Sequence, residues 1–187
     1  MAQDWSPDGR FLLYTVGSAN TQSDLWALPL DGERTPVPVV QTRFDDVQGK
    51  FSPDGRWLAY ASNESGRYEV YVQAFPDPGG KSQVSTGGGN FPGWGRDGTE
   101  LFYVAPDNQM MAARVQVARD GRALTLGVPI ALFPTRLFTG PAGIAGFGSR
   151  AQYAVAPDGR FLMIVVAGDA AAMPITLVQN WTAGLGN

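Results

Sequence analysis

The chain has 187 residues, a formal net charge of -3 at pH 7, and neither histidine nor cysteine. The missing residue types exclude disulfides, thiolate chemistry, a histidine base and the usual zinc ligands, so we expect no metal and no cofactor. The acidic balance argues against nucleic acid as a partner, and no apolar run is long enough for membrane insertion.

The composition favours short strands over helices. Glycine occurs 24 times and proline 14 times, and both residues weaken the interior of a helix. Apolar residues occur in short runs separated by turn residues, and no segment shows the period of a helix. The sequence therefore predicts an all-β fold.

A six-residue motif recurs four times along the chain. Its copies are WSPDGR from Trp5, FSPDGR from Phe51, WGRDGT from Trp94 and VAPDGR from Val155. Proline presets φ, the aspartate accepts a following backbone N–H, and glycine adopts a positive φ, so the motif is typical of a turn rather than of a catalytic site. The predicted turn residues are Asp8, Asp54, Asp97 and Asp158.

Each motif is followed by apolar runs that predict further strands. The first runs are residues 11–14, 57–60, 101–104 and 161–164, and the second are 24–28, 69–72, 110–115 and 175–178. Outer strands are expected at 37–41, 81–86 and 124–133. The repeat predicts β-propeller blades of four antiparallel strands, four blades in this chain, the last lacking its outer strand. We expect a single partial propeller domain over 1–187, with blades at about 1–41, 42–86, 87–135 and 150–187, and an inserted loop at 136–150.

The order of the motifs resembles a known family. Besides the SPDGR copies, the chain contains NESGRYEVYV at 63–72, VSTGGG at 84–89 and ITLVQNWTAGL at 175–185. These segments resemble TolB-type, WD-repeat-like bacterial propellers, and most closely the C-terminal propellers of bacterial eukaryotic-like serine/threonine kinases. The resemblance implies a sensor or interaction module placed outside the membrane. The chain contains no kinase motif, and its first four residues lead us to expect no N-terminal secretory signal.

The leading hypothesis is a non-catalytic module that binds a protein or peptide on one face, formed by the loops between blades and by the loops that join the second and third strands of a blade. Loops held by a rigid scaffold are where binding residues concentrate. The polar and aromatic candidates on these loops are Arg43, Asp45, Asp46, Glu64, Arg67, Asn90, Phe91 and Arg150.

Two alternatives remain open at this point. The chain could be a hydrolase or an enzyme-gating propeller, with Asp45 or Asp46 acting together with Glu64. It could also be a structural remnant of a longer gene. The adjacent carboxylates offer too few ligands for calcium, and the glycines at 87–89 favour a tight loop over a phosphate site because no helix follows them.

The aromatic residues of the repeat are expected to pack between blades. These residues are Trp5, Phe51, Trp57, Trp94, Tyr103 and Phe161. We also expect a homodimer that completes a larger ring, because the first and fourth blades would otherwise leave apolar faces uncovered.

Overall fold

The computed structural model describes residues 1–18, 22–77, 79–137, 152–156, 158–165 and 176–178. Within these residues every regular element is a β-strand, and no helix occurs. The strands form four separate sheets in which all pairs are antiparallel. The predicted all-β fold is therefore confirmed.

The sheets follow one another along the chain. The first contains β1 (Ala2–Trp5), β2 (Phe11–Ser18), β3 (Gln22–Pro29) and β4 (Val37–Val40). The second contains β5 (Asp46–Phe51), β6 (Trp57–Ser62), β7 (Glu69–Ala74) and β8 (Ser82–Gln83). The third contains β9 (Asn90–Trp94), β10 (Glu100–Val104), β11 (Gln109–Val117), β12 (Leu124–Leu126) and β13 (Ile130–Pro134). The fourth contains β14 (Tyr153–Val155), β15 (Phe161–Met163) and β16 (Thr176–Val178).

The first strands of the four sheets lie side by side. β1 contacts β5, β5 contacts β9, and β9 contacts β14, while the later strands of each sheet lie further out. Within a sheet the strands pair largely in chain order, which makes each sheet a meander. This is the arrangement of propeller blades, whose innermost strands surround a common axis.

An apolar core fills the space between each sheet and the next. Leu13 and Leu25 of the first sheet pack with Leu58 and Tyr60 of the second. The second and third sheets share a core of Trp57, Val70, Val72, Leu101 and Tyr103. Phe102 of the third sheet meets Phe161 of the fourth, with ring centroids 5.0 Å apart. Because the second sheet is covered on both faces, all six residues of β6 are buried.

The repeated motif forms the hairpin that joins the first two strands of each sheet. In the second sheet, the Asp54 carboxylate accepts hydrogen bonds from the Arg56 N–H (3.1 Å) and the Ser52 hydroxyl (2.6 Å), and Gly55 has a φ of 70°. The Asp8, Asp97 and Asp158 carboxylates accept the equivalent backbone N–H two residues later.

The fourth hairpin is one residue shorter than the other three. Trp5 pairs with Leu12, and Phe51 pairs with Leu58, but Val155 pairs with Phe161 instead of Leu162. A shift of one residue exchanges the two faces of a strand. Phe161 is consequently buried against the third sheet, whereas Leu162 is 48% exposed.

Two expectations differ from the structure. The outer strand predicted at 124–133 is divided into β12 and β13, which both pair with β11, because Gly127–Pro129 interrupt the pairing. Trp5 does not pack between blades but is 57% exposed, since no described sheet lies on its side of β1. The inserted loop at 136–150 lies almost entirely outside the described residues.

Candidate functional site

A cleft runs along the innermost strands. It has a volume of about 450 Å³ and is lined by residues from all four sheets. Its polar side chains include Gln3, Gln48, Lys50, Arg96 and Gln152, and its apolar lining includes Phe51, Pro53, Phe91, Pro92, Trp94 and Val155. A volume of this size lies within the range of ligand-binding clefts in proteins.

Irregular backbone shapes the wall of this cleft. The register of β5 against β6 shifts between Val47 and Lys50, and that of β9 shifts between Asn90 and Gly93. Gln48 and Phe91, within these irregular stretches, have φ values of 59° and 53°. Bulges of this kind turn side chains away from the direction that a regular strand would give them.

Hydrogen bonds between sheets hold the two irregular stretches in place. The Phe91 N–H donates to Oε1 of Gln48 (2.6 Å), which joins β9 to β5. The Phe91 carbonyl accepts a hydrogen bond from the Tyr153 hydroxyl (2.9 Å), which joins β9 to β14. Both backbone groups of Phe91 are therefore bound by side chains of the neighbouring sheets rather than by a ligand.

A second set of contacts joins β1 to β5. The Asp4 carboxylate accepts hydrogen bonds from the Phe51 N–H (2.9 Å) and from Nζ of Lys50 (3.2 Å). Nε1 of Trp94 in turn donates to the Lys50 carbonyl (3.1 Å). The floor of the cleft is thus rigid, and a ligand would meet a preformed surface.

The cleft has a positive electrostatic character. Lys50 is paired with Asp4, whereas the exposed Arg96 has no ion-pair partner among the described residues. No aspartate or glutamate is among the described residues that line the cleft. A guanidinium binds a carboxylate through two parallel hydrogen bonds, so Arg96 suits an acidic group on a ligand.

Of the predicted site residues, Asn90 and Phe91 lie on β9 beside this cleft, and both are buried. Phe91 lines it. Arg150 lies outside the described residues. The other candidates, which are Arg43, Asp45, Asp46, Glu64 and Arg67, do not line the cleft.

Asp45 and Asp46 have hydrogen-bond partners in the loops of the second sheet. Oδ2 of Asp46 accepts a hydrogen bond from the Thr42 hydroxyl (2.7 Å), and Asp45 accepts one from the Tyr68 hydroxyl. Burial raises the pKa of Asp46, and the hydroxyl groups of Ser62 and Thr42 offset part of the rise. Burial, followed by the hydrogen bond to Asp45, raises the pKa of Tyr68 as well.

Arg43, Glu64 and Arg67 are engaged at the surface. Glu64 forms an ion pair with Lys81 (2.6 Å to Oε2), and the Arg67 guanidinium lies 3.4 Å from the buried carboxylate of Glu69. The Arg43 guanidinium lies over the ring of Phe44, 5.0 Å from its centroid. These contacts order the loops of the second sheet but create no common pocket with the cleft.

The glycine-rich loop at 87–89 binds a carboxylate of the chain itself. The Gly88 N–H donates to Oε1 of Glu69 (2.9 Å), and the Ser85 hydroxyl donates to the same carboxylate. The Gly88 N–H, which would be a donor in an anion site, is therefore already occupied by Glu69.

Within the described residues, no group of three or more aspartate and glutamate side chains is arranged to hold a metal ion. The same part of the chain contains no helix of the length and apolarity needed to cross a membrane.

Sequence reasoning missed most of the cleft. Lys50 directly precedes the second copy of the turn motif, and Arg96 is the third residue of the third copy, so the available signal was a basic residue next to the end of an innermost strand. Gln3, Gln48 and Gln152 come together only because separate sheets converge, and no spacing within the chain indicates that.

No family model matches the chain. The sequence is 39% identical over 74 residues to the Tol-Pal system protein TolB of Pseudomonas aeruginosa, a match covering 40% of this chain and 16% of TolB. It is 32% identical over 117 residues to an uncharacterized protein of Agrobacterium fabrum, covering 58% of this chain and 36% of that protein. The chain thus spans 36% or less of the curated relatives it matches.

Solved structures show the same arrangement of strands. TolB from Acinetobacter baumannii superposes with a TM-score of 0.64 and 17% identity, over 88% of this chain and 37% of that one. The fold is that of a TolB-like β-propeller. A putative TolB from Agrobacterium tumefaciens matches with a TM-score of 0.53 and 17% identity, over 83% and 53% of the two chains. A puromycin-hydrolyzing peptidase of Mycobacterium tuberculosis matches with a TM-score of 0.58 and 20% identity, over 86% of this chain and 27% of that one. The TolB-like fold therefore also occurs within an enzyme.

Proposed function

We propose that this TolB-like propeller binds an extended peptide or protein segment that carries a carboxylate, along the cleft of its innermost strands. The observation that carries the proposal is a preformed cleft of about 450 Å³ with an exposed, unpaired Arg96 in its described lining. The role is non-catalytic: the module recognises a protein ligand.

The chemistry of the lining fits a peptide. Side-chain amides both donate and accept hydrogen bonds, as a peptide backbone requires, and three of them line the cleft: Gln3, Gln48 and Gln152. Nε2 of Gln3 already donates to the Thr15 hydroxyl, and Oε1 of Gln48 accepts the Phe91 N–H, so a peptide would use the other amide atoms of these two residues. Pro53, Pro92 and Trp94 supply apolar surface between them. An extended peptide, in which backbone amides and side chains alternate, can contact both the polar and the apolar lining along the length of the strands.

The charge of the lining selects among peptides. Arg96 attracts a carboxylate, and Lys50 adds positive potential although it is paired with Asp4 at 3.2 Å. Because no carboxylate is found in the described lining, an acidic side chain or a C-terminal carboxylate enters without repulsion.

The proposed setting is a larger bacterial protein. The resemblance to kinase-attached propellers supports a role as the sensor or interaction part of a serine/threonine kinase, placed outside the membrane. The limited share of the curated relatives that the chain covers, 16% and 36%, fits a module within a longer protein. A second copy of the chain is proposed as a further partner that completes a larger ring.

The alternative of a hydrolase that uses paired loop carboxylates has less support. Asp45 is engaged by Tyr68, Asp46 by Thr42 and Glu64 by Lys81. None of the three faces the cleft in the described structure. The likeness to a puromycin-hydrolyzing peptidase, at 20% identity, concerns the fold.

Selection from a displayed library of random peptides tests the binding proposal. We expect enrichment of peptides with aspartate, glutamate or an acidic C-terminus, and fluorescence anisotropy of one labelled peptide then gives its affinity. The Arg96→Ala variant should bind that peptide at least about tenfold more weakly, as loss of a charge-assisted pair implies.

The matched control is Arg122→Ala, since Arg122 is an exposed arginine on the turn between β11 and β12 and does not line the cleft. Its affinity should equal that of the unmodified chain. Equal affinities for the Arg96→Ala variant and the unmodified chain would contradict the proposed recognition of a carboxylate by Arg96.

A further inference from the structure

The two basic side chains of the cleft differ in how they are paired. Arg96 is exposed and has no ion-pair partner among the described residues. Nζ of Lys50, by contrast, donates to the Asp4 carboxylate (3.2 Å) and to the Gln3 carbonyl (3.1 Å). An ammonium group has three N–H donors, so these two contacts leave one donor of Lys50 for a ligand.

The Asp4 carboxylate is held in place by a second hydrogen bond. Its Oδ2 atom accepts the Phe51 N–H (2.9 Å), while its Oδ1 atom accepts the Lys50 ammonium group. The side chains of Asp4 and Lys50 are 25% and 29% exposed, so salt and water screen this pair less than a pair at the surface. The carboxylate is therefore fixed beside Lys50 and offsets its charge.

Asp4 and Lys50 occupy equivalent positions on neighbouring sheets. Each directly precedes the aromatic residue that opens a copy of the turn motif, which is Trp5 in the first sheet and Phe51 in the second. In the third sheet the same position is Gly93, which has no side chain. The ion pair is thus built into the contact between β1 and β5 and does not depend on a surface loop.

The two basic side chains lie at different levels along the cleft. Lys50 precedes the aromatic residue of its motif by one position, and Arg96 follows the aromatic residue of the third motif by two. Alignment of Phe51 with Trp94 places them three positions apart along the strand direction, which is about 10 Å at roughly 3.3 Å per residue. An extended peptide has a similar rise, so about three of its residues span the distance.

We propose that Asp4 is a specificity-determining residue of the cleft. By offsetting the charge of Lys50, it leaves Arg96 as the position that recognises an acidic group, and the cleft gains nothing from a second carboxylate about three residues away. The inference rests on the peptide binding proposed above and adds the number of acidic groups that the ligand carries.

The charge of the pair decides which acceptor Lys50 binds. A ligand carboxylate beside Lys50 would also lie close to the Asp4 carboxylate, so the repulsion from Asp4 would offset the attraction to Lys50. A peptide carbonyl has no net charge and meets no such repulsion. The remaining donor of Lys50 therefore suits the backbone of the peptide better than a second acidic side chain.

Fluorescence anisotropy with three labelled peptides tests the inference on the full chain. The first is a selected peptide with a single acidic residue, and the other two carry glutamate in place of glutamine three positions before or after it. We expect the unmodified chain to bind all three within about twofold. Asp4→Asn should prefer one of the two-acid peptides by about tenfold, because Lys50 is then charged and unpaired while the amide oxygen still accepts the Phe51 N–H.

Asp31→Asn is the matched control, since it removes the same charge at an exposed position that pairs with Arg10 (3.7 Å) and does not line the cleft. It should keep the affinity ratios of the unmodified chain. The double variant Asp4→Asn/Lys50→Gln should lose the preference for a second glutamate, which identifies Lys50 as its source. Circular dichroism verifies that each variant is folded.

Lys50→Gln alone gives an independent measurement that leaves Asp4 in place. Its uncompensated carboxylate should make a two-acid peptide bind at least about threefold more weakly than the one-acid peptide. Equal affinity ratios in Asp4→Asn and the unmodified chain, or a preference of the unmodified chain for a second glutamate, would overturn the role of Asp4. Recognition by Arg96 would still stand in both cases, because it is the response to Arg96→Ala that tests the proposed function.

Discussion

The buried carboxyl group of Asp46 ties stability to pH. Burial raises the pKa of Asp46 above its ordinary value of 3.8, so the folded chain binds a proton at this site more readily than the unfolded chain does. A carboxyl group whose pKa is raised in the folded state contributes its full stabilisation at pH values below its pKa in the unfolded chain. This stabilisation is lost as pH rises through its pKa in the folded chain.

Replacement of Asp46 by asparagine should remove this dependence. The amide oxygen still accepts the hydrogen bond from Thr42, and the side chain no longer ionises. We expect Asp46→Asn to gain stability relative to the unmodified chain as pH rises from 3.8 to the raised pKa of the folded state, by at most about 1.4 kcal/mol per pH unit, with no further gain above that pKa. Urea unfolding at a series of pH values measures the difference. Parallel stability curves for the two proteins would contradict the assignment.

The turn motif provides a second test at the level of single residues. The Asp54 carboxylate binds the Arg56 N–H and the Ser52 hydroxyl, and that hydroxyl accepts the Trp57 N–H at 2.9 Å. Asp54→Ala should therefore lower the free energy of unfolding by about 1 kcal/mol. Asp77→Ala, at an exposed position with no side-chain hydrogen bond in the described structure, should change it little. A loss of binding without a loss of stability would mean that Asp54 has a functional role.

Hydrogen bonds between the innermost strands hold neighbouring sheets together. Gln48 of β5 accepts the Phe91 N–H of β9, and both residues are buried. Gln48→Ala leaves that buried donor without its acceptor, which should cost about 1–3 kcal/mol of stability and weaken peptide binding.

Gln116→Ala is the matched control for this element, because Gln116 is exposed on β11 and does not line the cleft. Denaturant midpoints of the two variants, compared with the unmodified chain, give the result. Equal midpoints for both variants would show that the contact between β5 and β9 does not hold the cleft together.

The sequence predicts an element best when the residues that cause it lie within a few positions of one another in the chain. The strands and the turn at Asp54 follow from residue types within a few positions, and the first two outer strands are found close to where the pattern placed them. The break between β12 and β13 at Gly127–Pro129 was not predicted, although glycine and proline often interrupt strand pairing.

The register of the fourth hairpin could not be predicted from the motif. Ala156 replaces the serine of the first two copies and cannot accept a hydrogen bond as the Ser52 hydroxyl does. Gly95 also lacks this hydroxyl, yet the third hairpin keeps the longer form, in which Trp94 pairs with Leu101. The register is therefore not decided by that hydroxyl, and contacts of Phe161 with the third sheet accompany the shift.

At the scale of the whole molecule, the cleft forms because the innermost strands of four sheets come together. Its lining is drawn from β1, β5, β9, β14 and adjoining residues, which are far apart in the chain and become neighbours only when the sheets stack. The loop candidates were chosen because loops often carry function. Asp45, Asp46, Glu64 and Arg67 instead form contacts that order the second sheet and its loops.

Photocrosslinking from within the cleft tests the central claim most directly. A photoreactive side chain is introduced at Ala154, which is exposed and lines the cleft, or at Ala131, which is exposed on β13 and does not. A labelled acidic peptide from the library should crosslink at Ala154 and not at Ala131, and an excess of unlabelled peptide should abolish the product. Crosslinking at Ala131 alone, or at neither position by a peptide that binds the chain, would contradict a binding site on the innermost strands.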